Sequence, residues 1–507
     1  MSGSAVVIGS GPNGLSAAIT LAEGGRDVTV LEAAPRAGGG VGAAELTLPG
    51  FHHDLFSAVY PAAAASPVFA RWPLERHGLR WIDPEVCVAH VVGEDRTAAL
   101  YRSPEDTAAN LDRLAPGDGE RWLAFARPYL EHFPSLRRTL LAGFPPVRGP
   151  LGLLRGLGPA GMLDFARLVL MPAMSLAGEL FESPGAKAWL YGSAMHGDVP
   201  PTGAGSAIAA TYLQILGHAV GWPSPEGGAG RLAGALIGYL EELGGTVRTG
   251  APVTRVVVEG GRVTGVEVEG GERVAGSIVV ADTTPRGLLA VAGHALPGDY
   301  TKALHRYRYG PATVKIDWAL DGPIPWSSPE ARRAGTVHVG GSDQEVLQAV
   351  APAGDTGLAE KPFLLTGQQS VADPTRAPAG KHTAWAYTHG PHGVDWPKEG
   401  ERHVERMEAQ MERFAPGFRD LILGRHVMLP GDLEDRNRNL VGGDVGAGSY
   451  TLDQVIFRPV PSLAPYRTPL RGLYIGSAST FPGGAVHGVP GHAAARLALA
   501  EARLPGR

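Results

Sequence analysis

Residues 5–14 read AVVIGSGPNG, a short apolar run that ends in a glycine-rich turn. The apolar run is typical of a buried parallel strand. Residues 15–23 follow with helical spacing, and residues 28–31 (VTVL) have the character of a second strand. The order of strand, turn, helix and strand predicts a βαβ unit at the start of the chain.

The turn has the pattern GxGxxG. Gly9 permits the tight turn, Gly11 lets the backbone approach a pyrophosphate, and Gly14 lets the helix pack against the strand. The start of the helix offers free N–H groups and the positive end of its dipole to phosphates. We therefore predict that this turn, which includes Ser10 and Asn13, binds the pyrophosphate of a dinucleotide.

Glu32 follows the second strand, 18 residues after Gly14. At this position a carboxylate accepts hydrogen bonds from the ribose hydroxyls of an adenosine. The same negative charge disfavours a 2′-phosphate, so NADP is not expected at this site.

A second glycine group, RAGGG at residues 36–40, comes soon after the acid. It resembles FAD enzymes of the glutathione-reductase-like class, in the branch that holds flavin amine oxidases and phytoene desaturases. These enzymes carry a glycine doublet here, and the resemblance implies that Gly38 and Gly39 contact FAD rather than NAD. An arginine usually follows the doublet. Gly40 stands in its place, so we expect one charged phosphate contact to be missing.

The C-terminal region carries a second glycine-rich loop. Residues 472–476 (GLYIG) predict a strand, residues 477–492 read SASTFPGGAVHGVPGH, and residues 493–500 predict a helix. This arrangement resembles the phytoene-desaturase form of the C-terminal flavin motif. The resemblance implies that the loop passes beside the isoalloxazine ring, with Gly476, Gly484 and Val486 at the cofactor. Ser477 stands where many FAD proteins place an aspartate that binds the ribityl chain or phosphate.

The middle of the chain returns to the same domain. Residues 231–243 predict a helix, and residues 246–249, 253–258 and 278–281 predict strands, with hairpin turns at Gly260-Gly261 and Gly270-Gly271. In related flavoproteins the residue that matches Val253 contacts the adenine through its backbone. The middle region contains no second GxGxxG unit, so we do not expect a dedicated NAD(P)H domain.

These observations predict an α/β fold, namely a glutathione-reductase-like FAD-binding Rossmann domain with a discontinuous α+β substrate domain. We assign residues 1–75, 211–300 and 431–507 to the FAD domain. The remaining ranges, 76–210 and 301–430, form the substrate or cap domain. A chain of 507 residues exceeds what one hydrophobic core usually supports, which agrees with two domains.

Composition excludes several classes of protein. The net charge is -5, whereas a nucleic-acid-binding protein usually has a basic excess. Cys87 is the single cysteine, so a redox-active cysteine pair is absent and a reducing, cytoplasmic location is expected. Adjacent histidines at 52 and 53 lack further ligand spacing, and we predict no metal site.

Residues 132–178 combine five arginines with one acid, Asp164, and are rich in leucine, glycine and proline. This composition favours either peripheral contact with a membrane surface or an apolar mouth for the substrate cavity. A plain helical cap and a subunit interface, and thus an oligomer, are the alternatives.

Further segments carry the resemblance along nearly the whole chain: residues 49–54 (PGFHHD), 217–223 (GHAVGWP), 315–320 (KIDWAL) and 381–385 (KHTAW). They are similar to the bacterial phytoene-desaturase-like FAD oxidoreductases. The resemblance implies a dehydrogenase, desaturase or oxidase that transfers hydride from a hydrophobic small molecule, such as an isoprenoid or polyene, to flavin N5. Oxygen or a quinone is the expected acceptor.

Three side chains are candidates for the chemistry. Lys315 lies where flavin amine oxidases carry a lysine that holds water against N5, so an amine oxidase-like enzyme is one alternative. An apolar strand would lower the pKa of this lysine, although a lysine whose head reaches solvent is equally consistent. His487 in the flavin loop is either an acid or base or a structural hydrogen-bonding group. His218 either lines the cavity or is a satisfied buried histidine. A flavoprotein with a non-redox role, as an isomerase or an interaction partner, is the third hypothesis.

Overall fold

The computed structural model describes residues 3–93, 96–351 and 356–503. Within them, the strands form two main sheets, one parallel and one mixed. The parallel sheet contains five strands in the spatial order Leu473–Ile475, Ile278–Ala281, Ser4–Ile8, Asp27–Leu31 and Thr246–Arg248. Both faces of this sheet are covered, so the central strand is buried at Ala5, Val6 and Val7 and has an uninterrupted apolar sequence.

Helices cover one face of the parallel sheet. They are Pro12–Glu23, Gly230–Glu242 and Val489–Glu501. The first and the last of them pack closely because Gly491 has no side chain, and a Cβ there would overlap the carbonyl oxygen of Asn13. Leu15, Leu236 and Ala494 belong to the resulting core.

The opposite face packs against a small antiparallel sheet and one helix. These elements are Val253–Glu259, Arg262–Val268, Arg273–Ala275 and the helix Pro285–Ala292. Gly260 and Gly261 join the first two strands with φ values of 56° and 75°, the left-handed geometry of a tight hairpin. The hairpin that the sequence predicts here is confirmed.

The second main sheet is mixed and has seven strands. Their spatial order is Ile422–Met428, Ala312–Leu320, His382–Gly390, Leu364–Gly367, Ala334–Val339, Val86–Gly93 and Arg96–Leu100. Only the pair Ala334–Val339 and Val86–Gly93 is parallel among these described strands.

Helices surround the mixed sheet. Helix Trp396–Phe414 packs against one face through Val404, Met407 and Met411. The helical layer on the other side consists of Pro104–Leu114, Asp118–Glu131, Phe133–Leu140, Arg148–Leu170, Ala173–Leu180, Pro184–Met195, Ser206–Val220 and Asp343–Val350. The shorter elements are the strands Ala43–Ala44, His53–Asp54, Trp81–Ile82 and Ser224–Pro225 and the helices Pro61–Ala64, Gly298–His305, Pro329–Arg333, Pro430–Arg436 and Leu452–Val455.

The strands of the parallel sheet come from the three ranges assigned to the FAD domain, and those of the mixed sheet from the two other ranges. All four predicted boundaries fall inside helical elements. The 210/211, 300/301 and 430/431 boundaries fall inside the α-helices Ser206–Val220, Gly298–His305 and Pro430–Arg436, and the 75/76 boundary falls inside the 3-10 helix Leu74–His77. The first helix begins after Gly205 and ends at Gly221, and nothing in its uncharged sequence marks an interruption between these glycines.

Candidate functional site

One cavity of about 1800 Å³ is lined by residues from both main sheets and their helices. Pockets for a single small ligand usually measure roughly 300–1,000 Å³, so this cavity has room for a dinucleotide and a second molecule. The sequence-predicted residues that line it are Gly9, Gly11, Asn13, Glu32, Gly39, Gly40, Val253, Lys315, Gly484, Val486 and His487. The predicted residues that do not line it are Ser10, Gly14, Gly38, His218, Gly476 and Ser477.

The glycine turn has the geometry that a pyrophosphate needs. The N–H of Gly9 donates to the carbonyl of Leu31 at 2.8 Å, with Gly9 at φ 95°. A Cβ on Gly14 would overlap the carbonyl oxygen of Gly9, so only glycine lets the helix start this close to the strand. The first helical N–H groups thus lie beside the cavity, where phosphate oxygens can accept from them.

The second glycine group packs directly on the first. The N–H of Gly38 donates to Ser10 Oγ at 3.1 Å, and a Cβ on Gly39 would lie 2.8 Å from the Cα of Gly11. A Cβ on Gly40 would meet nothing within 4 Å, so the arginine expected at this position would not clash with its surroundings at its Cβ. Ser10 and Gly38 therefore support the turn from behind.

Glu32 lies at the predicted adenosine end of the cavity. Its carboxylate accepts from the N–H of Ser10 at 2.9 Å, from Ser10 Oγ at 2.6 Å and from the N–H of Ala34 at 2.8 Å. These bonds fix its orientation, and a carboxylate has about four acceptor positions, so one is left for a ribose hydroxyl. Val253 lines the same cavity.

Asp282 is a cavity residue that the sequence reasoning missed. It follows the buried strand Ile278–Ala281, and its Oδ2 accepts from the N–H of Gly14 at 2.9 Å. Burial raises the pKa of Asp282 to about 7, and the negative charge of Glu32 adds to this, whereas the Gly14 hydrogen bond opposes it. An acid at the carboxyl end of a strand beside the glycine turn was the available signal.

Some residues of the C-terminal glycine-rich segment line the cavity, and others are packed in the core. Gly484 and Val486 line the cavity. Ser477 is buried and its Oγ accepts from the N–H of Ser479 at 3.2 Å, so it does not take the place of the aspartate expected toward the ribityl chain. Gly476 lies in the core against Ala494. As direct cofactor contacts, Gly476 and Ser477 are corrected to supporting residues, because both lie behind the loop.

Lys315 lines the cavity but carries a buried partner. Its Nζ donates to Asp317 Oδ1 at 2.6 Å and to the carbonyl of Asp54 at 3.1 Å. Burial alone would raise the pKa of Asp317, yet the charge of Lys315, with a contribution from the nearby His53, reverses this and holds that pKa below its ordinary value. The structure therefore buries the ammonium, as one of the two expectations held, but pairs it with Asp317, which lies two residues along the strand and on the same face. The alternative, a lysine whose head reaches solvent, is wrong.

His487 has a structural position in the loop. Its Nε2 donates to the carbonyl of Gly484 at 3.1 Å, and its Nδ1 accepts from the N–H of Val489 at 3.2 Å. Burial lowers the pKa of His487 to about 4. Both ring nitrogens are thus occupied in a neutral ring, which favours the structural alternative over an acid or base.

His218 is not a cavity residue, and its candidacy for catalysis is corrected. Its Nε2 accepts from Trp122 Nε1 at 3.2 Å, and its Nδ1 donates to the carbonyl of Arg102 at 3.3 Å. Burial lowers the pKa of His218 to about 4. It is a satisfied buried histidine within the helical layer.

The part of the cavity near Lys315 contains polar and aromatic side chains that sequence reasoning did not single out. They are His196, Asp198, Thr313, Trp385, Tyr387 and Tyr450. Trp385 and Tyr387 stack with ring centroids 5.9 Å apart. These residues come from four separate segments, so spacing along the chain gave no signal.

A third part of the cavity is apolar. Its lining includes Leu140, Leu141, Val169, Ile208, Leu213, Leu452 and Ile456. Close to these residues in the chain, exposed apolar side chains occur on and beside the helix Arg148–Leu170. Within the described residues, no helix combines the length and apolar character needed to cross a membrane.

The part of the chain that the structure describes contains no group of three or more His, Cys, Asp or Glu residues that could hold a metal ion. Cys87 is buried, and burial raises the pKa of its thiol to about 12. It therefore offers no reactive thiolate near neutral pH.

Comparison with known families gives two matches. Residues 7–72 match an NAD(P)-binding Rossmann-like domain, and residues 172–496 match the flavin-containing amine oxidoreductases.

Similar proteins come from both of the branches that the sequence resembles. Pyridine nucleotide-disulfide oxidoreductase domain-containing protein 2 of Rattus norvegicus is 28% identical, over 98% of this chain and 93% of that protein. The neurosporene-forming phytoene desaturase of Rhodobacter capsulatus is 26% identical, over 96% of this chain and 92% of the desaturase. A solved structure of putrescine oxidase with bound putrescine superposes with a TM-score of 0.60 at 15% identity, over 99% of this chain and 98% of that one, which shows a shared fold.

Proposed function

Because the chain is a phytoene-desaturase-like member of the flavin-containing amine oxidoreductase family, we propose that it transfers hydride from an apolar small molecule to its FAD. The observation that carries this proposal is that one cavity is lined both by the dinucleotide turn at Gly9 and by the apolar side chains of the helical layer. FAD supplies the electron acceptor for a hydride, and the protein contributes binding, orientation and exclusion of water.

We propose further that the nucleotide-binding part is of the glutathione-reductase-like type. Three observations support this: the parallel sheet, the small antiparallel sheet on its opposite face, and the second glycine doublet Gly38-Gly39 packed on Gly11. The match to the flavin-containing amine oxidoreductases favours a redox role over that of an isomerase or an interaction partner.

An isoprenoid or polyene is the substrate class that the apolar chamber supports best. Leucine, isoleucine and valine side chains from four helices or loops line it, including Leu140, Val169, Ile208 and Ile456. Burial of an apolar chain against such surfaces stabilises the complex by about 25 cal/mol per Å². The similarity to a phytoene desaturase supports the same class.

The test uses the FAD-loaded enzyme under argon, mixed separately with lipid and polar extracts of its host. We expect the lipid extract to decrease the absorbance of the oxidised flavin, and oxygen or a soluble quinone to restore it. Decrease by the polar extract alone would contradict the proposal of an apolar substrate. Rapid recovery in air indicates an oxidase, and recovery only with the quinone indicates a dehydrogenase.

Amine oxidation is the second candidate, because Lys315 lines the cavity and the fold is shared with putrescine oxidase. On this hypothesis we expect Lys315→Met to slow reoxidation of the reduced enzyme by air at least about tenfold, since an ammonium that donates to bound water or oxygen is lost. Stopped-flow absorbance measures this rate.

Lys315→Met also leaves the buried Asp317 without its cation, which is costly for the fold. The control is the double variant Lys315→Met with Asp317→Asn, in which the unpaired carboxylate is removed as well. Reoxidation at the wild-type rate in the double variant would remove Lys315 from the mechanism.

We propose a cytoplasmic protein that contacts membranes peripherally through the helix Arg148–Leu170 and its neighbours. Exposed apolar side chains on this surface are Val147, Leu151, Leu154, Leu163, Leu170 and Met174. Exposed arginines lie among them, at Arg148, Arg155 and Arg167. Cationic and apolar side chains together suit an anionic bilayer surface, and the apolar chamber is lined by Val169 of the same helix.

Sedimentation with vesicles tests this contact. We expect binding to phosphatidylglycerol vesicles, weaker binding to phosphatidylcholine, and at least about a fivefold loss for Leu163→Gln combined with Leu170→Gln. Leu423→Gln is the matched control, because Leu423 is an exposed leucine on the mixed sheet. Equal binding by all variants would contradict the assignment of this surface to membrane contact. Light scattering then tests whether the protein self-associates through the same surface.

A further inference from the structure

Asp198 is a buried carboxylate that faces the cavity without a hydrogen-bond donor on one oxygen. Its side chain is only 5% exposed, it lines the cavity, and Oδ1 has no hydrogen-bond partner. His389 Nε2 lies 2.9 Å from this oxygen, but the geometry is not that of a hydrogen bond. A buried carboxylate is costly unless its oxygens accept hydrogen bonds, so a carboxylate in the cavity lining with an oxygen that accepts none indicates a ligand that donates.

The backbone conformation of Asp198 is also unusual. Asp198 has φ 55°, the left-handed region, and lies just after the helix Pro184–Met195. Aspartate and asparagine tolerate this region better than other non-glycine residues, yet it carries some strain. Such strain clusters where a side chain must be presented in one direction.

Asp198 lies close to the proposed position of the flavin ring. Its Oδ2 lies 2.7 Å from the position that a Cβ on Gly446 would take. The carbonyl oxygen of Gly446 in turn lies 2.8 Å from the position that a Cβ on Gly484 would take. Gly484 belongs to the loop that we expect beside the isoalloxazine.

The mixed sheet connects the same region to Lys315. In its register, Thr313 pairs with His389 and Lys315 pairs with Tyr387. Residues two apart on a strand share a face, and cross-strand neighbours have Cβ atoms about 4.5–5.5 Å apart. Asp198 and Lys315 therefore border the same part of the cavity, and His389 lies beside Asp198 outside the cavity lining.

The groups that face Asp198 leave its charge largely uncompensated. They are His389, His196, Asp444, Tyr387 and Tyr450. Burial, with a contribution from His389, lowers the pKa of His196 to about 3, so this ring is neutral. The charge of Asp198 acts on Asp444, whose pKa is raised mainly by burial and then by this repulsion.

Arginine does not supply the missing cation. Arg458 lies over the ring of Tyr450 at 4.7 Å, but its guanidinium donates to the carbonyls of Gly448, Ser449 and Ala478. Among the described residues, His389 is the one basic side chain within 4.0 Å of Asp198. Within the described residues, His389 is therefore the available partner of Asp198, and a substrate that donates can take over that role.

We propose that the substrate is an alcohol with an apolar chain, and that Asp198 accepts its hydroxyl proton as the carbon is oxidised. This inference rests on the proposed function. The C–H bond of the carbinol breaks and its electron pair leaves as hydride to FAD, the O–H bond breaks and its proton passes to Asp198, and a C=O bond forms. The hydride carries two electrons and one proton. The second proton goes to Asp198, so the alcohol loses two electrons and two protons in total.

An amine or a hydrocarbon substrate would fit the carboxylate of Asp198 less well than an alcohol. An amine beside a buried carboxylate is held as an ammonium, which has no lone pair to support loss of hydride. A hydrocarbon offers no donor to the open Oδ1. A hydroxyl is neutral, donates to the carboxylate, and becomes more acidic only as the hydride leaves, which is what a general base requires.

Two histidines act as positioning residues in this scheme. His389 Nδ1 is hydrogen-bonded to Thr313 Oγ1 at 3.3 Å, and its Nε2 lies 2.9 Å from Asp198 Oδ1. His196 lines the cavity and its Nε2 is 2.9 Å from Nε2 of His338. His389 thus holds the carboxylate of Asp198 in place from the side of the mixed sheet.

The experiment adds farnesene, farnesol or farnesylamine to the FAD-loaded enzyme under argon and follows the flavin absorbance. These probes share one apolar skeleton and differ in the donor group. We expect farnesol to reduce the flavin and the other two probes to be at least about 100-fold slower. The variant Asp198→Asn should lose at least about 100-fold of the farnesol rate, the usual range for a general base.

Structural damage is separated from loss of the base by matched measurements. Asparagine tolerates φ 55°, so Asp198→Asn should keep wild-type FAD content and melting temperature and lose the pH dependence of the farnesol rate. His389→Gln should lower this rate about tenfold and shift its pH profile with KM unchanged. Asp444→Asn, which alters a neighbouring buried carboxylate outside the cavity lining, should keep the preference for farnesol.

Three outcomes are decisive. Reduction by farnesene or farnesylamine but not by farnesol overturns the inference and leaves the proposed function in place. A wild-type farnesol rate in Asp198→Asn also overturns the inference alone. Failure of all three probes to reduce the flavin overturns the inference together with the proposed apolar substrate.

Discussion

Gly14→Ala is expected to lower FAD affinity at least about 100-fold. The added Cβ would overlap the carbonyl oxygen of Gly9 and lie 3.0 Å from its carbonyl carbon. Neither backbone segment is free to move, because Gly9 donates to Leu31 at 2.8 Å and Gly14 donates to Asp282 at 2.9 Å. The helix Pro12–Glu23 must therefore shift, and its first N–H groups leave the positions where phosphate oxygens bind.

The FAD content after dialysis and the dissociation constant from flavin fluorescence measure this effect. Gly234→Ala is the control, because Gly234 lies in the helix Gly230–Glu242 and a Cβ there would meet nothing within 4 Å. Alanine is favoured over glycine inside a helix by roughly 1 kcal/mol, so this variant should bind FAD normally and be slightly more stable. Full retention of FAD by Gly14→Ala would contradict the proposed role of the turn.

The βαβ unit around Gly14 is the part of the fold that local sequence predicts best. The strands predicted at 5–8 and 28–31 are observed as Ser4–Ile8 and Asp27–Leu31, and the helix predicted at 15–23 is observed as Pro12–Glu23. The small error at the helix start arises because Pro12 occupies the first turn, where its missing N–H costs nothing. The C-terminal helix likewise begins earlier, at Val489, with Pro490 in its first turn.

The candidate site was less predictable because it is assembled from distant segments. Asp198, His389 and Lys315 are far apart in sequence, and only the pairing of Ala312–Leu320 with His382–Gly390 brings the last two together. Lys315 was identified by resemblance, but its partner Asp317 was missed, although alternation along the predicted strand places both side chains on the same face. His218 was misinterpreted because an uncharged run contains both cavity-lining and fully packed positions.

Asp282→Asn is expected to stabilise the protein without FAD above neutral pH and to tighten FAD binding there. Burial raises the pKa of Asp282 from 3.8 to about 7. The folded protein therefore holds this proton more tightly than the unfolded chain does. Stability from this group is fully present below about pH 4, falls as the pH rises, and is lost above about pH 7. Asparagine does not titrate, so it removes that loss.

The expected gain is at most about 4 kcal/mol at pH 8 and clearly smaller at pH 5, since one pKa unit corresponds to about 1.36 kcal/mol. FAD binding should show the same trend, because a charged Asp282 at the N-terminus of the helix Pro12–Glu23 repels a pyrophosphate. Urea unfolding and FAD titration at both pH values measure the two effects. Asp435→Asn is the control, because Asp435 is an exposed aspartate that lines the same cavity. An Asp282→Asn effect of equal size at pH 5 and pH 8 would show that the carboxyl group does not titrate in this range, and that the glycine turn tolerates its charge.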